Sequence, residues 1–411
     1  MTAVRFLVLG SYPTRRPIHG GQLRLAQVVA AYRGQGFAVC QVNAFPANPA
    51  YTYSNHWRRW LTAASLDWSL PPEQLQRWPG TPVPFVEDLA SGQMLAEDAA
   101  RLAVIERYAG RVDWVHLEQP WLLPVVRRLR ERGALGDFRL VYGSQNIEYL
   151  LKQAIFSQYG VDEGQPLIDA IRTLETAAAR EADLVAAVTP NDAGQLSQWT
   201  RAPVVVAPNG VQSWRSTSRR QRRWQVQLGG APFALYVASA HPPNISGFCQ
   251  SFGESLAPLS PLQQIVLAGT VAEHVAKSDW FQRWEALNAR RVHVVGMVED
   301  ADLAALKTLA HTFVLPVTAG GGSNLKTAEA LYSGRSVVAT PLAMRGFEAF
   351  TDLPGVTVAA AGLAFAQAVA DSLVRPLPPT NAATKARCER LAWSHALAPL
   401  MAAVNAASHL S

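Results

Sequence analysis

Residues 318–334 read TAGGGSNLKTAEALYSG and follow a short apolar, β-branched run at 313–316. Three glycines, Gly320, Gly321 and Gly322, allow unusual backbone angles and close approach to a ligand. Ser323 is placed to cap the helix that the pattern predicts next. A strand, a Gly-rich loop and a helix start, in that order, offer unpaired N–H groups and the positive end of a helix dipole to an anion. Lys326 adds a cation to the first turn, where the dipole disfavours one, and a bound anion would explain it. Glu329 lies three residues on, near the same face. A carboxylate there cannot hold phosphate, but it can accept hydrogen bonds from two ribose hydroxyls. Gly320 to Asn324, Leu325, Lys326 and Glu329 therefore read as a cradle for a nucleoside diphosphate. The alternative is a Gly-rich turn before an ordinary helix.

The same alternation of strand and helix extends in both directions. Apolar runs at 4–9, 37–42, 114–117, 138–142, 184–188 and 204–207 are predicted strands. A second set falls at 233–238, 264–268, 292–295, 313–316, 336–339 and 356–358. Most lack polar alternation, as in parallel strands covered on both faces. Amphipathic stretches between them make the fold class α/β with parallel sheets. Residues 212–230 carry Arg215, Arg219, Arg220, Arg222 and Arg223 without a clear apolar period, and read as a basic connector with a solvated face. The expected organisation is a Rossmann-like domain over 1–211, the linker 212–230, a second Rossmann-like domain over 231–380, and a C-terminal helix in 381–411. The amphipathic stretch 382–406 is expected to pack back towards the first domain. Two such halves would face each other across a cleft at the carboxyl ends of their sheets.

With 411 residues, 49% of them hydrophobic and 17% charged, the chain can bury sizeable cores. The three cysteines, Cys40, Cys249 and Cys388, are far apart and form no CxxC, which argues against a disulfide scaffold and suits a reducing compartment. No run is long and apolar enough to span a membrane, and the apolar run 6–9 is too short for a signal peptide. A net charge of +6 suits anionic partners. Without a zinc finger, RNP motif or arginine-rich recognition helix, no nucleic acid partner is expected. The expected location is cytoplasmic.

Residues 320–340, GGGSNLKTAEALYSGRSVVAT, resemble the donor-site signature of GT-B glycosyltransferases of the family 4 kind, the group 1 glycosyl transferases. Other stretches are similar in the right order: His19-Gly20-Gly21, Asp113-Trp114-Val115-His116, Gln145-Asn146-Ile147-Glu148, Ala207-Pro208-Asn209-Gly210-Val211, Pro242-Pro243-Asn244, Leu267-Ala268-Gly269 and Val295-Gly296-Met297-Val298. The resemblance implies a GT-B fold and an enzyme of the EC 2.4 class. Such an enzyme moves a sugar from a nucleotide-diphosphate sugar to a glycan, lipid-linked or small-molecule acceptor, with retention of configuration and work in polysaccharide biosynthesis. It implies that Glu329 holds the ribose. The first Glu of the family's E-x7-E pair would fall at Gly321, so backbone N–H groups of Gly320 to Ser323 are expected to take its place. With no Lys or Arg in His241 to Asn244, Lys326 becomes the main diphosphate counter-charge, with Arg345 as helper. His116 is expected at the cleft end of its strand, touching donor or acceptor, and Gly20 and Gly21 as an acceptor or phosphate loop. Catalytic roles are assigned to His116 and Lys326. Alternatives are a GT-B nucleotide-sugar epimerase and a degenerate nucleotide-binding scaffold.

No cofactor is expected besides the donor substrate, and no metal. Glu299-Asp300-Ala301-Asp302 contains a D-x-D, but it precedes an amphipathic run and reads as an N-terminal cap. Trp57, Trp60, Trp68 and Trp78, with Arg58, Arg59 and Arg77, are expected to pack as an excursion of the first domain. A membrane interface, with peripheral contact at the inner face, or a sugar-stacking surface is the other reading.

Overall fold

The computed structural model describes residues 3–15, 17–47, 59–61, 65–70, 87–160, 164–379 and 381–408. They divide into two compact units, Met1–Pro208 with Leu397–Ser411, and Asn209–Ala396.

The first unit holds β1 (Arg5–Gly10), β2 (Ala38–Pro46), β3 (Arg59–Leu61), β4 (Leu66–Leu70), β5 (Trp114–Glu118), β6 (Arg139–Ser144), β7 (Leu184–Ala187) and β8 (Val204–Val206). Among the described residues they form one sheet in the order β3-β4-β2-β1-β5-β6-β7-β8. All pairs are parallel except the antiparallel β3–β4. β3 and β4 fall in the tryptophan-rich excursion, where no strand was expected. Trp68 is buried in the core of this unit. Trp57, Trp78, Arg58 and Arg77 lie outside the described residues.

The second unit holds β9 (Phe233–Val237), β10 (Gln264–Ala268), β11 (Val292–Gly296), β12 (Thr312–Leu315), β13 (Ser336–Ala339) and β14 (Val356–Val358). They form a parallel sheet in the order β11-β10-β9-β12-β13-β14. The apolar runs are continuous because each face has its own core. Phe233, Leu235, Phe313, Leu315, Val337 and Ala339 enter one cluster, and Ala234, Tyr236, Val314 and Val338 enter the other. Alternate residues of a strand point to opposite faces, so a strand covered twice has no place for polar alternation.

Two expectations about the connections need correction. The basic stretch 212–230 is not a bare connector, since Ser218–Gln227 is a helix. Its Trp224 is buried in the second core. Arg220 and Arg223 pair with Asp302 at 2.9 and 2.5 Å, and the Trp224 indole donates to the same carboxylate at 3.2 Å. Two arginines of the supposed solvated face are therefore tied down, and Asp302 of the D-x-D is an ion-pair anchor. The cap position before Asp300–Leu309 is Glu299, whose side chain makes no capping bond.

The C-terminal stretch does not return to the first unit as a whole. The helices Ala382–Glu389 and Trp393–Ala396 stay with the second. There Val211 donates to the Leu391 carbonyl at 2.8 Å, and Cys388 and Leu391 join the core. Only the helix Ala398–Ser408 packs on the first unit, beside β7 and β8, with the Trp114 indole donating to Ser408 Oγ at 3.0 Å.

Candidate functional site

β9, β12 and β13 are neighbours in the second sheet, so parallel pairing brings the loops after them together at one edge. The loop after β9 leads through His241 into the helix Pro242–Phe252. Gly247 lets that helix sit against β12, because a Cβ there would lie 2.4 Å from the Pro316 carbonyl oxygen.

The loop after β12 is the Gly-rich segment. Gly320 and Gly322 have φ of +128° and +58°, which other residues adopt only with strain. The helix Leu325–Tyr332 follows, and its cap is Asn324, whose side chain accepts from the Lys326 N–H at 3.0 Å. Ser323, expected as the cap, is one residue too early. Its Oγ is buried without a hydrogen-bond partner among the described residues.

Arg345, expected to help hold a diphosphate, turns towards the loop itself. Its Nε donates to the Gly322 carbonyl at 2.6 Å and its Nη1 to that of Gly320 at 2.8 Å. Asn209 Nδ2 donates to the Ser323 carbonyl at 3.1 Å. In a trans peptide the C=O and N–H point in opposite directions. Three carbonyls pinned by two side chains therefore turn the N–H groups of Gly321, Ser323 and Asn324 the other way, away from their clamps. They are loop N–H groups leading into the helix, and among the described residues they have no hydrogen-bond partner.

Lys326 reaches back across the loop. Its Nζ donates to Asn244 Oδ1 at 2.6 Å and lies 5.7 Å from the centre of the Tyr236 ring. Among the described residues Asn244 is its one hydrogen-bond acceptor. Burial pushes the ammonium down from 10.5 to about 8, against the opposing pull of Glu329. Partial burial, followed by the Lys326 charge, also lowers His241. Glu329 is held by Lys307, which sequence reasoning missed, with Nζ and Oε2 2.8 Å apart. The arrangement joins a desolvated cation, oriented N–H groups and a paired carboxylate.

The first unit has a polar cluster at the corresponding edge of its sheet. His116 does not end its strand. β5 runs on through Glu118, and His116 has no exposed surface. Tyr32 Oη lies 2.8 Å from Nδ1 and Glu118 Oε2 lies 2.7 Å from Nε2. Both ring nitrogens are taken, so the expected contact of His116 with donor or acceptor is corrected to a place in a buried network. Arg24 Nε donates to Glu118 Oε1 at 3.0 Å, as does Gln145 Nε2. Burial raises the Glu118 carboxyl, but Arg24 and His116 outweigh it and hold it low.

The residue at the strand end is Gln119, the one non-glycine residue with positive φ among those described, at 67°. Its amide accepts from Ser11 Oγ at 2.7 Å and donates to Glu148 Oε1 at 3.0 Å. Backbone strain of this kind clusters at functional sites. Gly20 and Gly21 open the helix Gly20–Gly34 behind the cap His19, which burial pushes down to about 4. A Cβ on Gly21 would lie 2.9 Å from both Tyr12 and Gln145, so a larger residue would require both side chains to shift.

Among the described residues no group of three His, Cys, Asp or Glu side chains is placed to hold a metal ion. No helix among them is long and apolar enough to cross a membrane.

Residues 231–375 match the family described as Glycosyl transferases group 1. Among solved structures, sucrose-phosphate synthase from Thermosynechococcus elongatus is 16% identical, with 99% of this chain and 100% of that one covered and a TM-score of 0.67. HepE from Anabaena, solved in complex with UDP, is 16% identical over 98% and 100%, with a TM-score of 0.63. An α,α-trehalose-phosphate synthase (UDP-forming) from Burkholderia xenovorans, in complex with glucose-6-phosphate, is 14% identical over 98% and 100%, with a TM-score of 0.65. No curated protein matches the sequence. Residues 231–375 of the second unit are thus similar to the group 1 glycosyl transferases, and the chain has the two-domain α/β fold termed GT-B.

Proposed function

We propose that the protein transfers a sugar from a nucleotide-diphosphate sugar, bound by the second unit, to an acceptor hydroxyl presented by the first. The observation that carries this reading is the Lys326 ammonium, desolvated and with one acceptor, beside N–H groups turned outward by Arg345 and Asn209. Negative charge grows on the diphosphate as the bond from the sugar to its oxygen breaks. A prearranged cation and fixed dipoles stabilise that charge where it develops. The proton of the acceptor hydroxyl passes to the departing phosphate oxygen on the same face, which gives retention without an enzyme nucleophile. Lys326 and the loop supply the charge that a divalent metal supplies elsewhere, so transfer is metal-independent in this reading.

Glu329 accepts from the ribose. The acceptor is a glycan, a lipid-linked sugar or a small sugar, received near Ser11, Gln119 and the Gly20-Gly21 helix start. HepE in complex with UDP, and a trehalose-phosphate synthase in complex with glucose-6-phosphate, support a nucleotide sugar as donor and a sugar as acceptor.

The test is a thermal-shift screen against UDP, GDP, ADP, CMP and dTDP species, followed by donor turnover with and without chelator. A ligand at ~100 times its dissociation constant adds about 2.7 kcal/mol. A shift with one diphosphate, and turnover that survives chelation, are expected. No shift with any of them overturns the site. Activity lost to chelator and restored by magnesium or manganese overturns the metal-free mechanism.

A further inference from the structure

The Glu329 carboxylate sits on the helix Leu325–Tyr332, and its partner Lys307 sits in the last turn of Asp300–Leu309. The Lys307 residue is 8% exposed. Its Nζ is 2.8 Å from Glu329 Oε2 and lies 5.2 Å from the centre of the Trp214 ring. Trp214 in turn packs on Tyr332, one helical turn from Glu329, with ring centres 5.7 Å apart. Lys307 is thus held by an aromatic face below and a carboxylate above. Among the described residues it has no other ion-pair partner.

A carboxylate has about four acceptor positions. Lys307 fills one on Oε2, while Oε1 has no hydrogen-bond partner among the described residues. Lys326 lies close enough for Glu329 to act on its charge. An unanchored Glu329 would be drawn to that ammonium and would neutralise the cation that the diphosphate needs.

We infer that Lys307 is a positioning residue of the donor site, which fixes the Glu329 carboxylate for the ribose and keeps it from quenching Lys326. The inference rests on the donor-site reading above. It gives Lys307 two effects of different kinds. The first is ribose selectivity, because the free oxygen is aimed by the ion pair. The second is diphosphate affinity, because Lys326 stays available. A merely structural ion pair would change stability and neither of these.

The experiment measures calorimetric affinities of the full chain for UDP, GDP and ADP, each paired with its 2′-deoxy form. The proteins are wild type, Lys307→Met, Lys307→Arg, Glu329→Gln and the double variant Lys307→Met/Glu329→Gln. Wild type is expected to prefer the ribo form of its diphosphate by about ten-fold or more, the effect of a charge-assisted hydrogen bond. Lys307→Met should reduce that preference to about two-fold or less and weaken both forms. Lys307→Arg should restore most of the preference, because a guanidinium can also donate to Oε2. Glu329→Gln in the Lys307→Met background should recover diphosphate affinity, since the carboxylate that competes for Lys326 is gone. Lys307→Met that melts earlier but keeps the wild-type ribo preference and diphosphate affinity overturns the inference and leaves the donor site standing. If Lys307→Met is unfolded, an unchanged ribo preference in Glu329→Gln overturns it instead. Wild type that binds none of the three diphosphates removes the donor-site reading, and the inference falls with it.

Discussion

Diphosphate binding should take up a proton at Lys326, and its affinity should fall as pH rises from about 7.5 to 9.5. In the unliganded protein burial holds this ammonium at about 8 instead of 10.5. A bound diphosphate favours the charged form and draws the value back up. At about 1.36 kcal/mol per pH unit, full restoration is worth at most ~3 kcal/mol of binding. Between about pH 7.5 and 9.5 the free lysine loses most of its charge, and the linked affinity should fall roughly twenty-fold. Near pH 8.5 binding should take up about 0.7 proton. Calorimetry in two buffers of different ionisation enthalpy measures that uptake directly. Lys326→Arg is the control: a guanidinium stays charged across the range, so its profile should be flat apart from titration of the nucleotide. Wild-type affinity that tracks Lys326→Arg across the range, with no proton uptake, would refute the placement of a desolvated cation at the phosphate. The same shift acts on stability. Between pH 8 and 10.5 the unfolded chain binds more protons than the folded one, so stability of the unliganded protein rises with pH there. Lys326→Met should therefore stabilise the apo protein at neutral pH by up to about 2 kcal/mol, and the gain should vanish above about pH 10.5.

Glu329→Ala should weaken nucleoside diphosphate binding by about 1.5–3 kcal/mol, read by calorimetry, and should lower the melting temperature because Lys307 loses its partner. Arg345→Met should release the carbonyls of Gly320 and Gly322, reducing diphosphate affinity by about ten-fold while affinity for the bare nucleoside holds, since in the proposed site the nucleoside does not meet those N–H groups. Burial, and next the charge of Glu148, push Glu175 up from 4.5 to about 8. Between those values the folded state binds more protons than the unfolded, so stability falls with rising pH. Glu175→Gln should raise the melting temperature near pH 8 relative to wild type, with the gain shrinking towards pH 4.5.

Each of the twelve strands read from apolar runs has a counterpart in the structure, within two residues at the ends except for β2, which runs four residues past its predicted end, because both sheets are covered on two faces. The two missed strands had a different signature. β4 reads LDWSL, and its buried Asp67 accepts from Asn43 of β2 at 2.6 Å. The end of β5 was misplaced for the same reason. Val-His-Leu-Glu looks like a strand running out into solvent, yet Glu118 stays inside with Arg24, 94 residues earlier in the chain. Lys307 was invisible because its partner lies on another helix. The glycine loop, Lys326 and Glu329 were legible since they are local in sequence. What the Arg345 and Asn209 side chains do was not, because a carbonyl acceptor has no residue type.

These corrections share a physical cause. A lone charge in the interior is disfavoured, so every buried carboxylate here invites a search for the group that stabilises it. Glu118 leads to Arg24 and His116, and Asp302 to Arg220 and Arg223, while the partly exposed Glu329 pairs with Lys307. Lys326 breaks the pattern. It is desolvated beside an amide oxygen, although Glu329 is near enough to influence it. The chain supplies Lys307 to Glu329 and leaves Lys326 without a carboxylate partner. Burial holds the Lys326 ammonium below its ordinary value. A charge held against its solvation preference contributes most when an anion arrives, and most of all when that anion gains charge in a transition state. The unpaired lysine is therefore the feature of the second unit that stability alone does not explain.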